Sequence, residues 1–172
     1  IKVGSFRAET FDQLFEGTRA LPWSDFIGRL DAFPVKGHSI KSALFSIPDC
    51  QSIVKKAVVN RLGEKYHISY FDETEVKYQI EFFIFKDLAH LMIDTSGIPL
   101  HKRGYRPEAG AAPIRETLAA AMALAARPRP DVLFWDPFCG SGTIPIEAAL
   151  IAKNRAPGLN RHFAAEEYPW VP

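Results

Sequence analysis

The feature that most constrains this chain is a short glycine-containing turn between an apolar run and a helical segment. The turn has the sequence D-P-F-C-G-S-G-T and spans residues 136–143. The apolar run at residues 132–135 predicts a buried strand, and residues 144–153 predict a helix. Strand, glycine turn and helix N-terminus together bring backbone amides close to a ligand. The chain is therefore expected to contain an α/β unit with a small-molecule site at this turn.

The spacing of the turn excludes two kinds of nucleotide loop. A P-loop requires Gly-Lys-Ser/Thr, and no lysine lies between Asp136 and Leu150. A dinucleotide fingerprint requires a third glycine, but Pro145 stands at that position after Gly140 and Gly142. An acid at the strand end and a Gly-x-Gly turn suit a ligand with an amino group and a carboxylate. A plain strand-to-helix connection can also contain Gly-Ser-Gly, so the turn alone does not decide between the two.

Three segments together resemble a known family. The turn and the following I-x-I-E-A-A resemble the first motif of class I S-adenosylmethionine-dependent methyltransferases. K-R-G-Y-R at 102–106 and A-P-I-R-E-T-L at 112–118 resemble the segments that precede this motif in methyltransferases joined to a THUMP RNA-binding domain. That group includes bacterial enzymes that methylate guanine N2 of large-subunit ribosomal RNA. Its members are often named adenine-specific DNA methylases. Residues 1–96 resemble a THUMP domain mainly in their position, since they precede the methyltransferase segments as a THUMP domain does in this group.

The resemblance implies an α/β fold in which a THUMP-like domain is followed by the start of a Rossmann-like methyltransferase domain. We expect the THUMP-like domain at residues 1–96, a linker at 97–112, and the N-terminal part of the methyltransferase domain at 113–172. The second domain is expected to be incomplete, because few residues follow the turn and the family's Asn-Pro-Pro-Tyr catalytic motif is missing. The catalytic residues are therefore expected beyond this chain, and the piece alone is predicted to be inactive.

The resemblance also implies that S-adenosylmethionine is the cofactor. The residues expected to bind it are Pro113, Arg115, Glu116, Thr117, Asp136, Phe138, Cys139, Gly140, Ser141, Gly142 and Thr143. Asp136 would receive the cofactor's amino group, and the following amides and hydroxyls would meet its carboxylate. For Arg115 alone, a place in a capped amphipathic helix is the simpler interpretation. Cys139 as a covalent nucleophile is disfavoured, since no general base lies beside it in the sequence.

Charge along the chain is uneven although the net charge is only +1. Basic residues predominate at 36–65 and 101–106, with several acids between them at 72–81. A sorted distribution of this kind predicts a local basic face that binds phosphates. The expected RNA contacts are Lys36, His38, Lys41, Lys102, Arg103, Tyr105 and Arg106. Two alternatives stay open: a solvated helix face at Lys55 and Lys56, and a structural brace between domains at 102–106.

The function implied by the resemblance is methyl transfer to an RNA base, most specifically guanine N2 of large-subunit ribosomal RNA. One alternative is a DNA adenine-N6 methyltransferase, and another is an RNA-binding module without activity of its own. The chain is 47% apolar, which suits a packed core. Its two cysteines form no C-x-x-C motif, so no metal site is predicted and a reducing, cytoplasmic setting fits. No membrane segment is predicted, and the oligomeric state stays open.

Apolar periodicity and capping residues predict the elements of the chain. Val76, Tyr78, Ile80, Phe82 and Ile84 alternate with polar residues, whereas Phe83 and Phe85 suggest that the far end of this strand is covered on both faces. The other expected elements are a helix capped by Thr10, a strand at Ile40–Ile47, a helix from Pro48 capped by Asp49 and ended by Gly63, a turn at Lys86-Asp87, a strand at Leu88–Thr95, and a helix with Pro113 in its first turn that Pro128 and Pro130 end.

Overall fold

The computed structural model describes residues 1–105, 113–129 and 131–171. They form two compact units. The first contains Ile1–Gly97 and the chain from Ala164 onward, and the second contains Ile98–Phe163. Among the described residues, no helix is both long and apolar enough to span a bilayer.

A four-stranded sheet forms the centre of the first unit. Its strands are β1 (Lys2–Arg7), β2 (Val35–Ile40), β3 (Ile80–Phe85) and β4 (Leu88–Ile93), in the spatial order β1-β4-β3-β2. β2 and β3 are parallel, and the other neighbours are antiparallel. The predicted hairpin turn is confirmed, since Lys86 and Asp87 both adopt positive φ.

Three strand predictions need correction. The strand expected at Ile40–Ile47 lies instead at Val35–Ile40, because Lys41 adopts a φ of +50° and turns the chain away. The strand expected from Val76 begins at Ile80, although the predicted side-chain phase is correct. Phe83 is half-buried and Phe85 is 39% exposed, so the described residues cover the second face of β3 only in part.

Two helices pack beside this sheet: α1 (Phe11–Arg19) and α2 (Ile47–Tyr66). The predicted cap of α1 is confirmed, since the Thr10 hydroxyl accepts a hydrogen bond from the Gln13 amide at 3.2 Å. In α2, Ser46 occupies the N-cap position and Asp49 lies in the first turn, so the predicted cap was wrong. Gly63 does not end the helix. A Cβ there would lie 2.8 Å from the Ile68 carbonyl oxygen, so glycine admits a close backbone approach.

The chain from Ala164 onward completes the core of the first unit. The Tyr168 ring stacks on Tyr78 with centroids 4.5 Å apart, and its hydroxyl donates to the Asp94 carbonyl at 2.7 Å. Trp170 packs edge-on against Phe26. Burial of Tyr168 raises the pKa of its phenol to about 12. This segment is therefore anchored by aromatic contacts in the first unit.

The second unit contains two packed helices, α3 (Glu116–Ala126) and α4 (Thr143–Ala152). Small residues, Ala119, Ala123 and Ala148, form their buried surfaces. Pro113 precedes α3 rather than lying in its first turn, because the helix begins after Arg115. The end of α3 near Pro128 is confirmed; Pro130 lies outside the described residues.

The apolar run before the turn is not a strand here. Val132–Trp135 forms no ladder, and Leu133 is 89% exposed. A parallel strand is stabilised by neighbours on both sides, and within the described part of the second unit no strand is available to pair with it. The predicted buried strand is therefore wrong for this structure.

Candidate cofactor loop and nucleic-acid interface

The glycine turn directly precedes α4 and adopts a conformation that depends on its glycines. Gly140 has a φ of +52° and Gly142 has a φ of +75°, a region that side chains with a Cβ disfavour. The Gly142 amide donates to the Cys139 carbonyl at 2.8 Å, which closes the turn. Gly142 is the N-cap residue of α4 and provides no side-chain cap. The N-cap residue of α4 thus leaves the first amides of this helix without a side-chain cap of its own.

The acid at the start of the turn is held by the turn itself. The Asp136 carboxylate accepts a hydrogen bond from the Phe138 amide at 3.0 Å. Phe138 and Cys139 are exposed, with Phe138 at 93%. Thr143 was expected to offer its hydroxyl to the cofactor, but it is only 2% exposed, so other residues of this chain cover that hydroxyl. Asp136 and the 138–142 backbone are therefore the accessible parts of the predicted site.

The upstream predicted segment lies at the start of α3. Arg115 is the N-cap residue, and Glu116 begins the helix. Arg115 and Thr117 are exposed. Since α3 packs on α4, the two segments expected to bind the cofactor belong to one packed unit.

Glu147 is a site residue that the sequence reasoning missed. It lies on α4 and is 2% exposed, which is unusual for a carboxylate. The Tyr105 hydroxyl donates to its Oε1 at 2.7 Å, and the Arg103 Nε lies 3.5 Å from the same oxygen. An acid within the apolar run 144–152 was the available signal. Arg103 and Tyr105, expected as RNA contacts, thus connect the K-R-G-Y segment to α4.

A cavity of about 630 Å³ lies within the second unit. It is lined by both upstream segments and by residues 160–162. Arg161 supports its wall: the guanidinium donates to the carbonyls of Pro99, at 3.0 Å, and of Ile98. Among the described residues, no group of three His, Cys, Asp or Glu side chains is arranged to hold a metal ion.

The remaining predicted RNA contacts lie on the first unit. Lys36, His38 and Lys41 are all exposed, at or just after β2. Lys36 forms ion pairs with Glu81 at 2.8 Å and with Asp94 at 3.7 Å. The hydrogen bond to Glu81 raises the pKa of Lys36 above its usual value.

Basic and acidic side chains in the first unit are less separated in space than the sequence predicted. Lys55, like Lys36, forms an ion pair with an acid of the intervening stretch, in its case Glu73. Two of the bases counted toward a basic face are therefore paired. Arg106, another predicted contact, lies outside the described residues.

Comparison with known families matches two models to the chain. A THUMP domain model matches residues 8–94, and an "RMKL-like, methyltransferase domain" model matches residues 103–169. The chain belongs to the family of THUMP-containing, RMKL-like methyltransferases. The family resemblance carried by the turn and the two upstream segments is thereby confirmed.

Relatives of this family cover nearly the whole chain. "Putative RNA methyltransferase YpsC" of Bacillus subtilis is 51% identical over 99% of the chain and 45% of its own length. "Ribosomal RNA large subunit methyltransferase K/L" of Syntrophotalea carbinolica is 38% identical over 94% of the chain and 23% of its own length. The chain thus spans less than half the length of these relatives.

Solved structures of relatives share the fold. A structure named "predicted N6-adenine-specific DNA methylase" from Listeria monocytogenes is 56% identical, with a TM-score of 0.94 over 100% of this chain and 46% of that one. SMU.472, named as a methyltransferase and solved in complex with SAH, is 48% identical, with a TM-score of 0.91 over 100% of this chain and 46% of that one. Both structures extend well beyond the region matched here.

Proposed function

We propose that the protein containing this chain is an S-adenosylmethionine-dependent methyltransferase acting on an RNA base, most specifically guanine N2 of large-subunit ribosomal RNA. The observation that carries the proposal is the Asp136–Thr143 turn. It joins an anchored acid, two glycines with positive φ and an uncapped helix N-terminus.

The turn fits the two charged ends of an amino-acid ligand. Asp136 offers a carboxylate to an ammonium group. The amides at the start of α4 favour an anion, because a helix N-terminus carries a partial positive charge. Apart from its two chain neighbours, none of the described residues lies within 4 Å of a Cβ built on Gly140, so a ligand can approach the backbone there. The solved relative SMU.472 carries SAH, which supports this cofactor.

The proposed cofactor residues are Asp136, Phe138, Cys139, Gly140, Ser141, Gly142 and Thr143, with Pro113, Arg115, Glu116 and Thr117 from the start of α3. The exposed residues among them offer their side chains as well as their backbone, whereas Thr143, which is 2% exposed, offers its backbone amide. S-adenosylmethionine supplies an electrophilic methyl group. The work of this chain is to bind and orient that molecule, and the geometry needed for base recognition is expected elsewhere in the protein.

RNA is supported as the substrate by the THUMP match and by the names of two relatives. The Listeria relative is named as a DNA methylase, so adenine-N6 methylation of DNA is the second candidate. A module that binds RNA without activity is the third. We further propose residues 1–96 as the RNA-binding part, 97–112 as a linker and 113–172 as methyltransferase, although Arg103 and Tyr105 contact α4 and the chain from Ala164 onward packs in the first unit.

Isothermal titration of the full-length protein with S-adenosylhomocysteine, NAD and ATP tests the cofactor. S-adenosylhomocysteine should bind preferentially, and Asp136→Ala should weaken it by about tenfold or more, as expected when a charge-assisted hydrogen bond is removed. Asp131→Ala, which removes an exposed acid of the same unit, is the matched control. Preferential binding of NAD or ATP would contradict the proposal.

A further inference from the structure

One face of the sheet in the first unit lies opposite the two helices. The residues of β3 at positions 80, 82 and 84 are buried in the same core as residues of α1 and α2. The residues between them, Glu81, Phe83 and Phe85, therefore lie on the other face, because side chains alternate along a strand. None of these three is fully buried, so the described residues leave this outer sheet face partly open.

Strand pairing arranges the outer sheet face in three rows. Each row takes one outward residue from each strand, in the order β2, β3, β4 and β1, and residues that are paired across strands share a face. The rows are Lys36, Glu81, Met92 and Lys2; His38, Phe83, His90 and Ser5; and Ile40, Phe85, Leu88 and Arg7.

Ring side chains occupy the middle of the outer sheet face. Phe83 and Phe85 of β3 are nearly parallel, with centroids 6.2 Å apart and planes inclined by 6°. His38 and His90 lie on either side of Phe83 in its row. Unpaired RNA bases stack on flat side chains of this kind. RNA-recognition domains built on a four-stranded sheet use the same arrangement, since aromatic rings on their sheets stack on two or three bases.

Cations lie beside these rings. Lys86, in the turn between β3 and β4, is exposed, and its Nζ lies 5.3 Å from the centroid of the Phe85 ring. The three rows contain one acid, Glu81, and Lys36 pairs with it at 2.8 Å. A lysine next to an exposed ring suits a phosphate next to a stacked base. Lysine is depleted in the core of protein–protein interfaces, so the composition of this face favours a nucleic acid over a protein partner.

We propose that the outer sheet face binds a single-stranded segment of the RNA substrate, with bases stacked on Phe83 and Phe85 and a backbone phosphate near Lys86. The inference rests on the proposed function and deepens it, because it locates RNA binding within residues 1–96 and specifies unpaired RNA. Bases within a duplex are already paired and stacked on each other, so they are not available to these rings.

RNA binding by the full-length protein tests the outer sheet face. The probes are a single-stranded ribosomal RNA fragment and the same strand annealed to its complement. Phe83→Leu/Phe85→Leu keeps two apolar side chains but removes both flat rings. It should weaken binding of the single strand at least about fivefold, because stacking of one base on an aromatic ring contributes about that much or more, and it should leave duplex binding unchanged. Tyr70→Leu removes an exposed ring outside the sheet and should change neither affinity.

Photo-crosslinking repeats the test without a substitution. Single-stranded RNA that contains 4-thiouridine should crosslink to peptides within residues 80–93 of the unchanged protein. Crosslinks found only outside these residues would overturn the proposal.

Unchanged affinity of the double variant for the single strand, or an equal loss for both probes, would also overturn the proposal while leaving the proposed function intact. If Phe85→Glu dissociates a dimer of the protein without altering its RNA affinity, the face holds a second copy and the assignment to RNA is wrong. An unchanged protein that binds neither probe would instead remove the RNA function itself.

Discussion

Glu147 is the residue whose replacement most directly tests how the second unit is held together. It is 2% exposed and receives the Tyr105 hydroxyl at 2.7 Å, with Arg103 3.5 Å away. Replacement by alanine leaves Arg103, whose side chain is 13% exposed, without its partner. Breaking a buried ion pair in this way costs about 3–5 kcal/mol, and incomplete burial of Arg103 places the expected value near the lower limit. We therefore expect a loss of about 3 kcal/mol in the stability of α4.

Two milder variants divide this effect between the partners. Tyr105→Phe removes one hydrogen bond to a charged acceptor, which costs about 1.5–3 kcal/mol. Glu147→Gln keeps an acceptor for the Tyr105 hydroxyl but removes the negative charge beside Arg103. It should therefore cost less than Glu147→Ala. A double-mutant cycle between Tyr105→Phe and Glu147→Gln should show coupling, because the two side chains are in contact.

Native-state hydrogen exchange of the α4 amides is the appropriate assay, because a protein with several units need not unfold in one step. Asp131→Asn is the control, since the Asp131 side chain is 75% exposed and its change should stay within about 0.5 kcal/mol. If Glu147→Ala alters the exchange of α4 no more than this control does, the account of Glu147 as an anchor is refuted.

Three further predictions concern other parts of the chain. Gly142→Ala should destabilise α4 by about 1–2 kcal/mol in the same exchange assay, because Gly142 has a φ of +75°; unchanged exchange would contradict this. Gly63→Ala should destabilise the first unit by about 1–3 kcal/mol in urea unfolding despite its helix propensity, since the new Cβ would lie 2.8 Å from the Ile68 carbonyl; a gain in stability would contradict this. The pKa of Tyr168 is raised to about 12 in the folded chain, whereas the pKa of an unfolded tyrosine is about 10. The contribution of Tyr168 to stability is therefore full below about pH 10 and is lost as the pH rises toward 12. In urea unfolding over that pH interval, the first unit of Tyr168→Phe should lose less stability than that of the unchanged protein.

Local signals predicted those parts of the fold that local chemistry determines. Thr10 caps α1 as expected, because the cap is an interaction within one turn. The Lys86-Asp87 turn was likewise predicted from its neighbours in sequence. By contrast, the role of Gly63 depends on the later return of the chain at Ile68, which periodicity alone does not reveal. Glycine is a typical helix end, and here a close approach of the following chain overrides that preference.

In the candidate site, too, the parts that local sequence defines were predictable and the contacts between distant residues were not. The turn at 136–143 was recognisable because residue type and spacing define it, and the positive φ at Gly140 and Gly142 agrees with that interpretation. The contact of Tyr105 with Glu147 joins residues far apart in sequence, so no local pattern could predict it. Val132–Trp135 was predicted as a strand from its apolar character, but a parallel strand depends on neighbours that the described part of this unit does not contain.

The most direct test of the central claim is methyl transfer by the full-length protein. The protein would be incubated with radiolabelled S-adenosylmethionine and either a large-subunit ribosomal RNA fragment or DNA of the same sequence, and the labelled nucleoside would be identified by mass spectrometry. The account predicts label in RNA, at guanine N2, and none in DNA. Label at adenine N6 of DNA, with RNA unlabelled, would contradict it.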